Sequence, residues 1–75
     1  MRHVRTFEHG GNVYQVVELE TLGRVQLHSD FGGRWEIGHG KDIPAGRTAA
    51  YVAETMRRFI TGDIDHDEYN RLLPV

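Results

Sequence analysis

The segment Thr48 to Thr61, TAAYVAETMRRFIT, limits what this 75-residue chain can form, because it is the clearest amphipathic helix in the sequence. Its apolar side chains recur every three or four residues and share one stripe: Ala49, Val52, Ala53, Met56, Phe59 and Ile60. Thr48 suits the N-cap, and Gly62 suits the left-handed position that ends a helix. A main helix over 48–61 therefore needs an apolar surface supplied by the residues before it.

Four segments that precede this helix have the composition of β-strands. Residues 2–8, 13–19, 24–29 and 33–38 are rich in branched and aromatic side chains, and glycine-containing turns separate them. The stretch 39–47 is predicted to be a loop, because its glycines and Pro44 disfavour regular structure. A D-x-x-E capping box at Asp65 and Glu68 then predicts a short C-terminal helix over 65–73.

This order of elements predicts an α+β fold in one small domain, residues 1–75. Two consecutive β-hairpins (2–38) form an antiparallel four-stranded sheet, and the main helix packs against it. A chain of this length buries only about 60–65% of the surface that its unfolded form exposes, so its stability margin is narrow. A partner protein or a second copy is one way to widen that margin.

The first hairpin turns at Gly10–Gly11, a dipeptide that supplies the positive φ angles of a tight turn. This turn predicts three cross-strand pairs: Phe7 with Tyr14, Arg5 with Val16, and Val4 with Val17. It places apolar side chains on both faces: Val4, Val13, Val17 and Leu19 on one, and Phe7, Tyr14 and Val16 on the other. Since one helix covers one face, Phe7, Tyr14 and Val16 are predicted to form a protein interface. The alternative is a bulge or register slip that returns Phe7 to the core.

The second hairpin is predicted to turn through the three residues Asp30, Phe31 and Gly32, with Gly32 in the left-handed position. A loop of this length puts four apolar side chains on the core face, as the pairs Leu27 with Trp35 and Val25 with Ile37. The opposite face is then polar and carries Arg24, Gln26, His28, Arg34 and Glu36.

The charge and cysteine content narrow the functional classes. The net charge is −2, and residues 1–47 carry six Lys and Arg against six Asp and Glu, so the basic excess typical of nucleic-acid modules is missing. With no cysteine there is neither a disulfide nor a thiolate zinc site, which fits a reducing cytoplasm. No segment resembles a signal peptide or a membrane span, so a cytoplasmic location is expected.

Candidate catalytic and metal-binding patterns are weak, and no enzyme activity, metal or cofactor is predicted. Asp63, Asp65 and Asp67 are spaced like the start of a calcium loop, but Glu68 and Pro74 occupy its sixth and twelfth places. His28 with Asp30, and His39 with Asp42, are candidate ligand pairs, but they lack the helical i, i+4 spacing that prepares a metal site. His28-Ser29-Asp30 is not a triad, because adjacent strand residues point apart.

Two functional classes remain, and the first is favoured. The protein is predicted to be a non-enzymatic accessory protein, bacterial or phage-borne, that binds another protein or a second copy through Phe7, Tyr14 and Val16. Alternatively, the sheet binds nucleic acid through a set of polar donors: Arg5, Arg24, Gln26, His28, Arg34 and Lys41. Strands followed by one helix resemble the layout of sheet-based DNA binders such as plant AP2 domains and integrase arm-binding domains, which implies a sheet laid against DNA.

Overall fold

The structure, a computed structural model, describes residues 1–74 and, at His39, the backbone alone. The described residues form four strands and two α-helices in this order: β1 Arg2–His9, β2 Asn12–Leu19, β3 Arg24–Asp30, β4 Trp35–Asp42, α1 Ala49–Ile60 and α2 His66–Leu72. A short 3-10 turn, Glu20–Leu22, lies between β2 and β3. All neighbouring strands are antiparallel, and their order in the sheet follows the chain. The predicted α+β fold, with four consecutive strands, one main helix and a short C-terminal helix, is confirmed.

The first hairpin has the predicted turn and most of the predicted register. Gly10 and Gly11 adopt φ angles of 60° and 81°, which only glycine accepts at low cost. Phe7 pairs with Tyr14 and Arg5 with Val16, as predicted. The predicted pair of Val4 with Val17 is wrong: a bulge at Val4 puts His3 opposite Val17, and Val4 packs against the core.

The two helices cover one face of the sheet, which we call the inner face and define by Tyr14, Val16, Val25 and Leu27. The pairing of β2 with β3 decides which face this is, because Val16 lies opposite Leu27 and Tyr14 opposite Ser29. The apolar side chains of both central strands therefore meet on one side. Placing Phe7, Tyr14 and Val16 on the uncovered side was wrong, because the first hairpin alone carries no information about this second register.

The second hairpin turns one step later than predicted. Gly32 and Gly33 form a two-residue turn, with φ angles of 69° and 88°, and the Phe31 N–H donates to the Arg34 carbonyl oxygen at 2.9 Å. Trp35 therefore lies opposite Asp30, and Ile37 opposite His28. The predicted pairs of Leu27 with Trp35 and Val25 with Ile37 are wrong, and both β4 side chains lie on the uncovered face.

Strand β4 runs past its predicted end at Gly38, to Asp42. An irregularity opposite Leu27 accommodates the extra residue, so that Gln26 pairs with Gly40 and Val25 with Lys41. Gly38 fits there because a β-carbon would stand 3.0 Å from the Leu27 carbonyl oxygen. The glycines that favoured a loop instead form an edge strand with a bulge.

The core lies between the inner face and the two helices. Helix α1 begins after Thr48, whose hydroxyl accepts from the Tyr51 N–H at 3.2 Å, and it buries Val52 and Met56 completely. Helix α2 begins after Asp65, the predicted cap, and adds Tyr69 to the core. The described chain measures 35 × 28 × 15 Å, and the short dimension corresponds to one sheet layer and one helix layer.

Candidate functional site

The face of the sheet opposite the helices, which we call the outer face, is the candidate site. The strand registers place three rows of side chains at its centre: Val13, Gln15, Val17 and Leu19 from β2; Arg24, Gln26, His28 and Asp30 from β3; and Trp35, Ile37, Gly40 and Asp42 from β4. Strand β1 adds His3, Thr6 and Glu8 at one margin. No helix within residues 1–74 covers these rows.

Two large apolar side chains on β4 are exposed to solvent on this face. Trp35 retains 49% and Ile37 retains 69% of its accessible surface. In a strand, alternate residues share a face, so Trp35 and Ile37 are neighbours on the same side. Large aromatic and aliphatic side chains in such positions are typical of surfaces that contact another molecule.

Val17 gives the outer face a second apolar row on β2. It is only 6% exposed, although it lies on the side without a helix. Its cross-strand neighbours are His3 and Gln26, whose β-carbons lie within about 5 Å in paired positions. The face therefore has two apolar rows, on β2 and β4, with the polar row of β3 between them.

The polar row on β3 is held by contacts within the sheet. His28 Nε2 lies 3.3 Å from Gln26 Oε1, and Arg24 Nε lies 3.3 Å from Asp42 Oδ1. The Arg24 guanidinium also approaches Gly40, where a β-carbon would stand 3.2 Å from one of its terminal nitrogens. Among the described side chains of this face, Arg24 is the one Lys or Arg, against three carboxylates: Glu8, Asp30 and Asp42. The face is therefore acidic around its apolar rows.

The residues predicted as a protein interface lie on the helix side of the sheet, where Tyr14 and Val16 are buried and Phe7 is half-buried. Tyr14 is 9% exposed and Val16 is fully buried, and the Phe7 ring stacks on the Tyr14 ring with centroids 5.1 Å apart. The inner face buries them because the β2–β3 register turns them towards α1.

The residues predicted as nucleic-acid contacts do not form one surface. Arg24, Gln26 and His28 share the outer face. Arg5 contacts Glu54 of α1 at 3.0 Å, and Lys41 Nζ donates to the Leu73 carbonyl oxygen at 3.0 Å, so both lie on the helix side. Arg34 lies at the second turn, with 83% of its side chain exposed.

Two groups with displaced pKa values, Glu54 and Tyr69, lie on the helix side, away from the outer face. The hydrogen bond from Arg57 lowers the pKa of Glu54, and the nearby charge of Arg5 acts in the same direction. Burial between the helices and the sheet raises the pKa of Tyr69 to about 12. Both shifts follow from the packing of α1 and α2.

Residues 1–74, with the His39 side chain outside the description, contain no group of three or more His, Asp or Glu that could hold a metal ion. Neither α1 nor α2 is long and apolar enough to cross a bilayer. The candidate ligand pair of His39 with Asp42 involves a side chain that lies outside the described residues.

Comparison with known proteins gives a family. A family model described as Mycobacterium phage L5 gene 74 protein matches residues 5–75. The chain belongs to this family. No curated protein and no solved structure matches it. The sequence predicted a small accessory protein from bacteria or their viruses. The family match confirms the part of this prediction that concerns a small phage-borne protein.

Sequence reasoning missed Trp35 and Ile37 as exposed residues of this gene 74 family member. The signal that locates them is the Gly32–Gly33 dipeptide, which repeats the Gly10–Gly11 turn of the first hairpin. A two-residue turn at Gly32–Gly33 changes the register of β4 by an odd number of residues. It therefore moves every side chain before the bulge to the opposite face.

Proposed function

We propose that this phage protein acts in the cytoplasm as a small non-enzymatic binding protein that uses the outer face of its sheet to hold another protein. The observation that carries the proposal is the pair Trp35 and Ile37, exposed side by side on the uncovered face. Aromatic side chains of this kind supply much of the free energy of protein–protein binding when a partner covers them.

The charges on the outer face indicate which surface a partner would need. Three carboxylates surround the apolar rows, and Arg24 already contacts one of them, Asp42. A partner surface with an apolar centre and a rim of Lys or Arg would match this pattern. The affinity for this partner is expected to depend only moderately on salt concentration. Apolar contact supplies most of the affinity, and the rim charges mainly increase the rate of association.

The test is affinity capture from phage-infected cells with three baits. The wild-type chain is compared with the double variant Trp35→Ala/Ile37→Ala and with Leu22→Ala. Leu22 is a matched control because it is equally apolar and 65% exposed, but it lies in the 3-10 turn Glu20–Leu22, outside the four strands. A partner held by the wild type and Leu22→Ala but lost from the double variant supports the proposal. Equal capture by all three baits refutes it, provided that circular dichroism shows the same fold.

Nucleic-acid binding is the second candidate, and one observation favours it. Arg24, Gln26 and His28 lie in one row beside the exposed Trp35 and Ile37, so donors and an aromatic ring share a face. The acidic excess on that face opposes it, because phosphates are repelled by Asp30, Asp42 and Glu8. Fluorescence anisotropy with labelled DNA and RNA at about 50 mM salt decides the matter, since any real site would bind best at low salt. Binding that Arg24→Ala abolishes favours this candidate, and no binding removes it.

A further inference from the structure

Strand β4 forms one free edge of the sheet. Backbone hydrogen bonds at its two ends show which of its N–H and C=O groups point to β3 and which point to the free edge. Phe31 N–H donates to the Arg34 carbonyl, and Ile43 N–H donates to the Gly23 carbonyl, each at 2.9 Å. In an antiparallel ladder, alternate residues point to the neighbouring strand. Counting inward from these two contacts, Glu36 and Lys41 point to β3. The groups that point to the free edge then belong to Trp35, Ile37, Gly40 and Asp42.

We propose that the protein forms a symmetric dimer in which the β4 strands of two copies pair antiparallel at this edge. A two-fold axis perpendicular to the sheet keeps each face on its own side. Hydrogen-bonded partners must then share a face, and both must point to the edge. The pairs Trp35 with Asp42 of the second copy, and Ile37 with Gly40 of the second copy, satisfy both conditions.

The bulge in β4 makes this register possible. In a regular strand, Ile37 and Gly40 would lie on opposite faces because they are three positions apart. The irregularity opposite Leu27 places both on the outer face, as their pairing with His28 and Gln26 requires. The same register puts Glu36 opposite Lys41 of the second copy on the inner face. It therefore brings opposite charges together twice, once on each side of the axis.

The proposed contact would cover the exposed groups of β4. Ile37 would lie against Gly40 of the second copy, beside the Arg24 guanidinium that approaches this glycine. Glu36 Oε1 lies 3.8 Å from Arg34 Nε, and 54% of its side chain remains exposed, so a second cation has access to it. Lys41 has three ammonium N–H groups, of which one donates to Leu73. The outward-pointing N–H and C=O groups of the edge would also gain partners.

The other edge of the sheet, β1, is a poorer candidate. Within Arg2–His9 no large apolar side chain is as exposed as Trp35 or Ile37. Its outward-pointing residues include Thr6 and Glu8, by the same alternation from the Gly10–Gly11 turn. A pairing there would cover little apolar surface. The dimer at β4 brings Trp35 and Ile37 to its seam, but it does not depend on the proposed function, because its mass is measured without any other protein.

The first experiment measures mass by sedimentation equilibrium between about 10 µM and 1 mM, the range in which a small interface is expected to associate. The wild type should approach twice the chain mass of 8.6 kDa. Ile37→Pro removes an edge N–H without removing a bond to β3, so it should remain at 8.6 kDa. Glu8→Pro makes the same change at the β1 edge and should behave as the wild type. A wild type that stays monomeric throughout overturns the proposal, as does a dimer that Glu8→Pro alone abolishes.

The second experiment tests the register by charge reversal. Glu36→Lys would face Lys41 of the second copy and should weaken the dimer at least about tenfold. Adding Lys41→Glu in the same chain should restore the dimer to within about threefold of the wild type. An unchanged dimer constant in Glu36→Lys overturns the proposed register.

Amide hydrogen exchange on the wild-type chain needs no variant and covers the case in which a proline substitution prevents folding. The N–H groups of Trp35 and Ile37 should become protected as concentration rises, while those of Thr6 and Glu8 should not. Protection that grows at Thr6 and Glu8 instead would contradict the proposal.

Discussion

At the scale of single residues, Tyr69 shows how one buried hydroxyl makes the stability of the fold depend on pH in the alkaline range. Its ring stacks on Phe59 with centroids 4.3 Å apart, and its side chain is 3% exposed. Burial disfavours the phenolate and raises the pKa from 10.0 to about 12. The unfolded chain therefore releases this proton at a lower pH than the folded chain does, so stability is complete below pH 10 and falls between pH 10 and 12.

Tyr69→Phe should remove that alkaline loss. A shift of this size corresponds to at most about 2–3 kcal/mol, because each pKa unit contributes ~1.4 kcal/mol. Urea unfolding at several pH values between 8 and 12 should show a shallower decline in the free energy of unfolding for Tyr69→Phe than for the wild type. Tyr51→Phe is the control, since Tyr51 is half-buried at the margin of the core, with its ring beside Arg47. Parallel curves for wild type and Tyr69→Phe would show that the buried phenol is not the cause.

Two glycines of β4 should respond differently to the same substitution. A β-carbon on Gly38 would meet the Leu27 carbonyl oxygen at 3.0 Å, and a backbone atom can move only with its strand. At Gly40 the first contact is the mobile end of Arg24 at 3.2 Å. Gly38→Ala should therefore lower the free energy of unfolding by about 1–3 kcal/mol, and Gly40→Ala by less than ~1. Thermal unfolding of the two variants side by side measures the difference, and equal losses would contradict this account.

At the scale of elements, one carboxylate ties α1 to β1. Glu54 accepts from Arg57 within the helix at 2.5 Å and from Arg5 on the strand at 3.0 Å. The hydrogen bond from Arg57, together with the charges nearby, lowers the pKa of Glu54 below its ordinary value of 4.5. The stabilisation is therefore present above about pH 4.5 and is lost as the pH falls through the lowered pKa.

Glu54→Gln should cost less than about 1 kcal/mol at pH 7, because solvent screens a side chain that is 39% exposed. At pH 2 the two proteins should have nearly equal free energies of unfolding, since the wild-type carboxyl is then protonated. A double-mutant cycle with Arg5→Gln isolates the part that joins the helix to the strand. A cost that stays the same from pH 7 to pH 2 would assign the effect to packing instead of charge.

The elements themselves could largely be predicted from the sequence, and the registers between them only in part. The apolar stripe of α1, the cap at Thr48 and the turn at Gly10–Gly11 are local signals, and each is present in the structure. The pairing of β2 with β3 depends on side chains far apart in the chain, so nothing local specified it. At Gly32–Gly33 the predicted register of β4 was wrong by an odd number of residues. Because successive strand residues point to opposite faces, this error placed Trp35 in the core instead of on the outer face.

At the scale of the whole molecule, the fold is two layers with one side of the sheet uncovered. The helices cover the inner face, and no equivalent layer within residues 1–74 covers Trp35 and Ile37. The sequence indicated that an apolar face would remain uncovered, and this holds for different residues from those expected. A fold of one sheet layer and one helix layer therefore predicts that a site lies on the uncovered face. Which residues form that site depends on the registers of β2 with β3 and of β3 with β4, and the sequence alone did not determine these registers.

The same two-layer arrangement makes α2 part of the core, and this can be tested with two adjacent leucines. Leu73 is 1% exposed and belongs to the core cluster, whereas Leu72 is half-buried at its margin. Leu73→Ala should lower the free energy of unfolding by about 2–4 kcal/mol, and Leu72→Ala by about 1. Total stability for 75 residues is about 4–11 kcal/mol, so the larger loss would leave a weakly folded protein. Chemical unfolding followed by circular dichroism measures both losses. If Leu73→Ala costs no more than Leu72→Ala, α2 is an appendage, and the core consists of α1 and the sheet alone.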